Sequence, residues 1–226
     1  MLIVAVDTSG RKGSIALCRG DDRSFEVLQL TSLEGGTYSA QLMPQIAGAL
    51  LQHKLDKTQV DGFVVVSGPG SFTGLRVGLA TVKGLCEVLS KPLASVSMLE
   101  AVALIHARDG QIVTAILDAG RGEIYVGEYQ LSAGRASAVR EYIAKLDEFA
   151  SEAAGIPGGL FTPDARVAEA LQTANVGAEL IAPIHATEIG RIGIRKLLAG
   201  ETADPATIDV NYIRRSDAEI FSAPKH

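Results

Sequence analysis

The residues most able to do chemistry lie in a glycine-rich segment between a predicted strand and a predicted helix. The segment follows the apolar run Phe63–Val66 and extends from Ser67 to Gly78, with the sequence SGPGSFTGLRVG. Its glycines allow backbone N–H groups to approach an anion or a second chain closely, and its hydroxyl groups add hydrogen-bond donors. The segment therefore predicts a binding loop, although a tight turn without any ligand has the same composition.

This segment does not match the standard nucleotide-binding motifs. A phosphate-binding loop of the form GxxxxGK[ST] needs a lysine after its last glycine, whereas Leu75 follows Gly74 here. The dinucleotide motif GxGxxG is also excluded, because the spacing of Gly68, Gly70 and Gly74 differs from it. The loop is therefore not predicted to be a standard nucleotide site.

The histidines and cysteines form no recognisable metal or catalytic pattern. The four histidines lie singly in different segments, and the two cysteines, Cys18 and Cys86, lie far apart in apolar surroundings. The sequence has neither CxxC nor a paired Cys/His spacing, so we expect reduced core cysteines and no metal site. A serine-nucleophile elbow of the form GxSxG is also missing, which argues against a protease.

Composition and charge indicate an ordinary globular chain of one or two domains. The chain has 226 residues, 47% of them hydrophobic, and a formal net charge of -5. No run of basic residues is longer than Arg214-Arg215, so no positive stripe is available to hold nucleic acid stably. The apolar run Leu2–Val6 is too short for a signal peptide or a membrane span. We therefore expect a cytoplasmic protein with no membrane association and no direct, stable binding to nucleic acid.

A strand, an acidic turn and a second strand occur twice in the chain. The first copy occupies Leu2–Cys18, and Asp7 opens its turn. The second copy occupies Ile112–Tyr129, with Asp118 at the equivalent position. This repetition predicts two similar lobes, of which the second is smaller. The predicted lobes are 1–108 and 109–226.

Helices are predicted in both lobes. The first lobe has three predicted helices. The first begins near Ser39 and has Pro44 close to its start, and the second begins at Leu75. The third begins at Ser97, where the sequence SMLE forms a capping box. In the second lobe, Asp209–Arg215 predicts an edge strand or a docking segment. The other predicted elements of this lobe are helices at 146–154, 165–174 and 188–198 and a strand at 179–182.

Three motifs together closely resemble the TsaB (YeaZ) family. They are Asp7-Thr8-Ser9, the segment Ser67–Gly78, and Asn211-Tyr212-Ile213-Arg214. The duplicated unit is similar to the wider group of split nucleotide-binding folds that includes actin, hexokinase and Hsp70. The resemblance implies an α/β, two-lobed actin/hexokinase/Hsp70-like (ASKHA) fold with a degenerate second lobe. It covers nearly the whole chain and is weakest from Ala133 to Ala182.

Membership of this family implies a noncatalytic role in the synthesis of threonylcarbamoyladenosine (t6A) in tRNA. The partner TsaD carries the metal and the transfer chemistry, and the ATPase TsaE joins them. TsaD binds its metal through an HxxxH motif, and the corresponding stretch here, Ser97-Met98-Leu99-Glu100-Ala101, has no histidine. We therefore expect no catalytic residue, no metal and no required cofactor. One departure from the family is Tyr38, where relatives usually carry histidine.

The first two predicted helices are expected to form the partner-binding surface. The second, from Leu75 to Leu89, is apolar on nearly every side, as a helix covered by both its own core and a partner would be. The same surface is expected to form a homodimer when TsaD is absent, so the two assemblies should compete. The residues assigned to this surface are Ser39, Leu42, Ile46, Gly74, Leu75, Gly78, Leu79 and Val82.

An independent nucleotide-dependent phosphotransferase or ATPase is the alternative function. Asp7 and Asp118 would hold a hydrated Mg²⁺ against nucleotide phosphates across a cleft. Against turnover, only Gly158-Gly159 remains of the expected adenosine-binding glycines, and no third acidic residue is evident as a base. Weak ATP or ADP binding with Mg²⁺ at the interface with TsaD is expected instead. The candidate nucleotide-binding residues are Asp7, Ser9, Arg11, Gly68, Gly70, Ser71, Thr73 and Asp118.

Overall fold

The computed structural model describes residues 1–106, 108–156, 158–211 and 213, and the chain divides into two compact units. The first unit contains Met1–Ala101 and Pro183–Val210, and the second contains Val102–Ala182 together with Asn211. The sequence predicts a continuous division at 108/109. The structure divides the chain at Ala101 instead and returns 183–210 to the first unit, because the last helix packs on the first sheet.

A five-stranded mixed sheet forms the centre of the first unit. Its strands are β1 (Leu2–Asp7), β2 (Lys12–Gly20), β3 (Phe25–Glu34), β4 (Gly62–Gly68) and β5 (Leu93–Ser97). Their order is β3-β2-β1-β4-β5. The first three strands pair antiparallel, whereas β4 pairs parallel with both β1 and β5.

The second unit repeats this arrangement. Its strands are β6 (Ile112–Gly120), β7 (Glu123–Ser132), β8 (Arg135–Lys145), β9 (Gly159–Thr162) and β10 (Ala178–Leu180). Their order is β10-β9-β6-β7-β8, with β6, β7 and β8 antiparallel and β9 parallel to both β6 and β10. The two units therefore share one strand order and one pattern of directions, which confirms the duplication predicted from the Asp7 and Asp118 turns.

Six α-helices are found among the described residues. They are α1 (Tyr38–Gln52), α2 (Phe72–Leu89), α3 (Met98–His106), α4 (Leu146–Glu152), α5 (Ala165–Thr173) and α6 (Ala186–Leu198). No helix in this part of the chain is both long and apolar enough to cross a lipid bilayer. Of the predicted edge strand Asp209–Arg215, residues 209–211 are not in a strand, and 212, 214 and 215 lie outside the described residues.

Helices cover both faces of the first sheet. All six residues of β1 are buried, although successive side chains of a strand point to opposite faces. On one face α6 packs closely, with Gly190 against the side chains of Ile3, Ala5 and Cys18. Since α1 and α2 pack on each other and on strands of the same sheet, they account for the burial of Val4 on the other face. The glycine-rich segment therefore leads into α2, a helix that already packs against the sheet of its own unit.

Candidate partner-binding site and glycine-rich loop

The glycine-rich loop joins β4 to α2 and lies against the turn that follows β1. The Ser71 N–H donates a hydrogen bond to the Ser9 carbonyl oxygen at 2.6 Å. The Ser71 hydroxyl oxygen caps α2 by accepting from the Gly74 N–H at 3.4 Å. A Cβ atom on Gly70 would lie 2.5 Å from the Ser9 carbonyl oxygen, so only glycine lets the loop reach the turn this closely.

The Asp7 carboxylate, at the end of β1, accepts hydrogen bonds from Ser9 in the turn that follows it. Asp7 is 4% exposed, and its Oδ1 accepts hydrogen bonds from Ser9 N at 2.9 Å and from Ser9 Oγ at 2.6 Å. Burial raises the pKa of Asp7 above its usual value, and the Ser9 hydrogen bonds and nearby His185 partly oppose this rise. Asp7 lies at the strand end where the sequence predicts it, but it is buried.

The helix α2 packs directly against Thr8, through Gly74 and Gly78. A Cβ atom on Gly74 would overlap the Thr8 carbonyl oxygen, and one on Gly78 would overlap the Thr8 hydroxyl oxygen. This hydroxyl is buried and has no hydrogen-bond partner among the described residues. The close approach of α2 to the turn therefore explains why both helix positions are glycine. Close packing within the chain, without any ligand, is therefore sufficient to explain Gly74 and Gly78.

A cleft of about 600 Å³ opens beside the loop. It brings together Arg11, Ser71 and Thr73 of the predicted nucleotide set with Ser39 and Gly74 of the predicted partner set. The remaining first-unit candidates do not belong to the described lining of this cleft; they are Asp7, Ser9, Gly68 and Gly70. Arg11, from the turn that follows Asp7, thus lines the cleft, whereas Asp7 itself does not.

Asp118 belongs to the second unit and has an acidic neighbour that the sequence analysis missed. The Asp118 N–H donates to Asp164 Oδ2 at 2.8 Å, and Asp118 Oδ1 accepts from the Gly120 N–H at 2.8 Å. Burial raises the pKa of Asp164, and the Asp118 carboxylate adds to this rise against the effect of the Asp118 N–H. An aspartate directly before a helix is a start signal, so the sequence did mark Asp164, which precedes α5.

The apolar residues assigned to the partner surface are buried within the chain itself, which corrects the assignment. Leu42 and Val82 are 0% exposed, and the other three, Ile46, Leu75 and Leu79, are at most 4% exposed. These side chains face the sheet and the neighbouring helix, because the first unit needs them for its core. Only Ser39 of the assigned set is exposed.

Part of the solvent side of α1 and α2 is made of small and apolar residues, and we call this set the exposed helix face. The whole of α1 carries no charged residue. On α2, Lys83 Nζ donates to the Ile208 carbonyl oxygen at 2.9 Å, and the Arg76 guanidinium lies 3.9 Å from the centre of the Phe72 ring. The exposed helix face consists of Ala40, Met43, Ala47, Gly48 and Leu51 of α1 and Thr73, Ala80, Gly84 and Val88 of α2; Gly48 is half-buried, and the charged Arg76 and Glu87 of α2 are also exposed but do not belong to this set.

Two glycines of the exposed helix face have no explanation in the packing of the described chain. A Cβ atom on Gly48 or Gly84 would meet no atom within 4 Å. Glycine in a helix interior costs about 1 kcal/mol relative to alanine, so such positions are unfavourable for the isolated chain. Gly74 and Gly78 of the same helix differ, because Thr8 fills the space beside them. Locally unfavourable residues of this kind are expected where a function requires them.

Comparison with known proteins identifies relatives over most of the chain. The family model described as TsaD, tRNA N6-adenosine threonylcarbamoyltransferase, matches residues 35–188. The tRNA threonylcarbamoyladenosine biosynthesis protein TsaB of Bacillus subtilis is 35% identical over 134 residues, which are 59% of this chain and 57% of that protein. TsaB of Escherichia coli is 31% identical over 132 residues, 58% of this chain and 55% of that protein. The chain spans a little more than half the length of the curated relatives it matches.

Solved structures show the same fold. YeaZ from Pseudomonas aeruginosa superimposes with a TM-score of 0.71 at 23% identity, covering 92% of this chain and 98% of that one. A second Pseudomonas aeruginosa structure, of a protein with similarity to peptidase YEAZ, has a TM-score of 0.74 at 23% identity, and the match covers 94% of this chain and 99% of that one. With the repeated strand order, this likeness confirms an α/β fold with a duplicated strand-turn-strand unit, shared with the YeaZ structures.

Proposed function

This chain belongs to the TsaB (YeaZ) family, and on that premise we propose that it is a noncatalytic partner of a TsaD-type transferase in the synthesis of t6A in tRNA. The observation that carries the proposal is the uncharged exposed side of α1, which the small and apolar residues Ala80, Gly84 and Val88 continue on α2. The proposal places the chain in the cytoplasm, in an assembly that TsaE also joins. It assigns the chain no turnover of its own.

The chemistry of the exposed helix face supports docking to a protein. A solvated helix normally carries charged side chains on its outer side, whereas α1 has none in 15 residues. Met43, Leu51 and Val88 are 48%, 79% and 80% exposed, so apolar area remains in water when the chain is alone. Covering the side chains of Met43, Leu51 and Val88 with a second protein gains hydrophobic free energy.

The unexplained glycines support the same surface. Gly48 and Gly84 leave the backbones of α1 and α2 uncovered on the solvent side. Helices of a partner could therefore approach these backbones closely, as small residues allow at helix contacts. The cost of about 1 kcal/mol for each glycine would then be offset in the complex.

A nucleotide is a secondary ligand in this proposal. Arg11, Ser71 and Thr73 share one cleft of about 600 Å³, which supports weak binding of ATP or ADP phosphates with Mg²⁺ near the partner. Hydrolysis is not proposed, because the Asp7 carboxylate is buried and bound by Ser9. Among the described residues, no group of three or more His, Cys, Asp or Glu side chains is placed to hold a metal ion.

A charge placed on the exposed helix face tests the proposal. Ala80→Glu should weaken binding to TsaD at least tenfold, because the carboxylate would be buried without a partner. It should equally lower threonylcarbamoyl transfer to tRNA in a reaction reconstituted from TsaD, TsaE and this chain. A substitution at the buried Leu79 would test the core instead of docking, since Leu79 is 4% exposed.

Leu198→Glu is the matched control, because Leu198 is an exposed leucine at the end of α6 and lies outside the exposed helix face. Affinity should be measured by calorimetry and transfer by incorporation of labelled threonine. The proposal is wrong if Ala80→Glu binds TsaD and supports transfer as well as Leu198→Glu does.

A further inference from the structure

We propose that Tyr38 is a positioning residue: it holds the first turn of α1 against the β1–β2 turn and against α2, and so sets the shape of the exposed helix face. The inference rests on the proposed function only for its consequence in partner binding. The holding contact itself can be tested in the free chain.

The contact of Tyr38 with the β1–β2 turn is direct. Tyr38 is the first residue of α1 and is 5% exposed. Its hydroxyl group donates a hydrogen bond to the Gly10 carbonyl oxygen at 2.8 Å. Burial raises the pKa of Tyr38 to about 12, and the charges of Asp7 and Glu34 contribute to this rise. The hydroxyl group therefore stays protonated and able to donate throughout the physiological pH range.

The ring of Tyr38 lies in a slot that two glycines leave open. A Cβ atom on Gly13 of β2 would lie 2.8 Å from Tyr38 Cε1, and one on Gly74 of α2 would lie 3.3 Å from Cε2. The two edges of the ring thus touch β2 and α2. One side chain therefore connects three elements: the hairpin of β1 and β2, α1 and α2.

The other described side-chain hydrogen bonds that leave this end of α1 lead to β3 and not to α2. The N-cap residue of α1, Thr37, makes no capping hydrogen bond with its side chain. Thr37 and Gln41 tie this end to Glu34. The Thr37 hydroxyl donates to the Glu34 carbonyl oxygen at 3.1 Å, and the Gln41 amide accepts from the Glu34 N–H at 3.2 Å and donates to the same carbonyl oxygen at 2.9 Å. These bonds attach α1 to the end of β3, whereas Tyr38 is the residue that also contacts α2. Tyr38 therefore contributes to the angle between α1 and α2 at this end.

The exposed helix face begins directly beside this contact. Ala40 lies two positions after Tyr38 on α1, and Thr73 precedes Gly74 on α2. Ser39, the neighbour of Ala40, lines the same cleft as Thr73, so a loosened α1 would populate orientations in which the first turns of the two helices no longer form one surface. The apparent affinity for the partner is proportional to the fraction of molecules in the binding-competent orientation, so it falls when that fraction falls.

Tyr38→Phe tests the inference, since it removes the hydroxyl group and keeps the ring. We expect about three- to tenfold weaker binding to TsaD, the effect of one buried hydrogen bond, with the loss in the association rate. In the free chain, hydrogen exchange should quicken by a similar factor in the first two turns of α1 and stay unchanged in α6.

Tyr129→Phe is the matched control. Tyr129 of the second unit is 2% exposed, and its hydroxyl group donates to Glu141 Oε1. Its loss should lower Tm without changing TsaD affinity or exchange in α1, because a general loss of stability does not alter the affinity of the folded chain.

The outcomes separate the inference from the proposed function. If exchange in α1 is the same in Tyr38→Phe and wild type, Tyr38 does not position α1 and the inference is overturned. If exchange quickens and TsaD affinity is unchanged, the effect on the exposed helix face is overturned. If the wild-type chain does not bind TsaD at all, the proposed function fails, and hydrogen exchange still decides the role of Tyr38 in the free chain.

Discussion

At the scale of single residues, the ionised Asp7 carboxylate is a source of instability within the first unit. Burial raises its pKa, so the folded chain binds a proton at this site more tightly than the unfolded chain does. The stability that this proton contributes is present at low pH and is lost as the pH rises from the unfolded value of 3.8 through the raised folded pKa. At pH 7 the cost of burying the charge remains.

Asp7→Asn should therefore raise Tm at pH 7, because the amide oxygen still accepts from Ser9 and no charge is buried. For a chain of this length, each kcal/mol gained should raise Tm by about 2–4 °C. The advantage over wild type should shrink as the pH is lowered through the raised pKa. Calorimetric scans from pH 4 to pH 8 measure both effects.

Asp21→Asn is the control for this experiment. Asp21 is an exposed turn aspartate whose pKa is lowered by hydrogen bonds from the Arg23 and Ser24 N–H groups. Removing its charge should not raise Tm. A lower Tm for Asp7→Asn at pH 7 would show that the carboxylate contributes more through its hydrogen bonds than its burial costs.

The residue-level predictions from the sequence differ in outcome for a physical reason. The sequence places Asp7 correctly, because an acidic residue at the end of an apolar strand is a local signal. It misassigns Leu42 and Leu79, since the hydrophobicity of a helix position does not tell a core contact from a partner contact. The residues that distinguish the exposed helix face, such as Ala47 and Gly84, are small and give little hydrophobic signal.

At the scale of elements, α2 contains glycines with opposite roles. Gly78→Ala should destabilise the chain by about 1–3 kcal/mol, because its Cβ atom would overlap the Thr8 hydroxyl oxygen. Gly84→Ala should stabilise the free chain by about 1 kcal/mol, because alanine favours the helix and meets no neighbour. Urea unfolding of the two variants gives both values.

The two variants control each other, since they make the same chemical change in the same helix. Equal effects on the free energy of unfolding would contradict the contact between α2 and Thr8. They would leave Gly78 without the packing explanation given above.

Element prediction succeeds where the pattern is local and repeated. Each of the two hairpins is recognisable because an apolar strand ends at an aspartate. The edge strands β3 and β8 were not predicted, because both are largely exposed and carry many polar residues in place of a regular apolar alternation. These two segments form strands because they pair with β2 and β7, and this pairing is not visible in their own sequences.

At the scale of the whole molecule, one surface is proposed to serve two assemblies. If the exposed helix face forms both the homodimer and the complex with TsaD, added TsaD should dissociate the homodimer in proportion to the complex formed. Sedimentation velocity of the chain at a fixed concentration, titrated with TsaD, measures this exchange. Persistence of the homodimer within a larger complex would show that the two contacts use different surfaces.

The division into lobes was only partly visible in the sequence. The helix pattern at 188–198 is local and clear, and the structure has α6 at Ala186–Leu198. Its assignment to the first unit is not local, because it depends on Gly190 and Gly193 fitting against Ile3 and Val64. A fit between residues so distant in sequence leaves no mark on the periodicity of either segment.

The position of α6 on the first sheet also has a consequence for the nascent chain. The Ser14 hydroxyl oxygen accepts from the Ala186 N–H at 2.8 Å in a buried contact, and the helix that begins there covers one face of β1. The N-terminal strands leave the ribosome long before this helix does. The face of the sheet that α6 will cover therefore remains exposed to solvent during most of translation. Chaperone occupancy of the emerging polypeptide should therefore end only when the segment from Ala186 to Leu198 has left the exit tunnel.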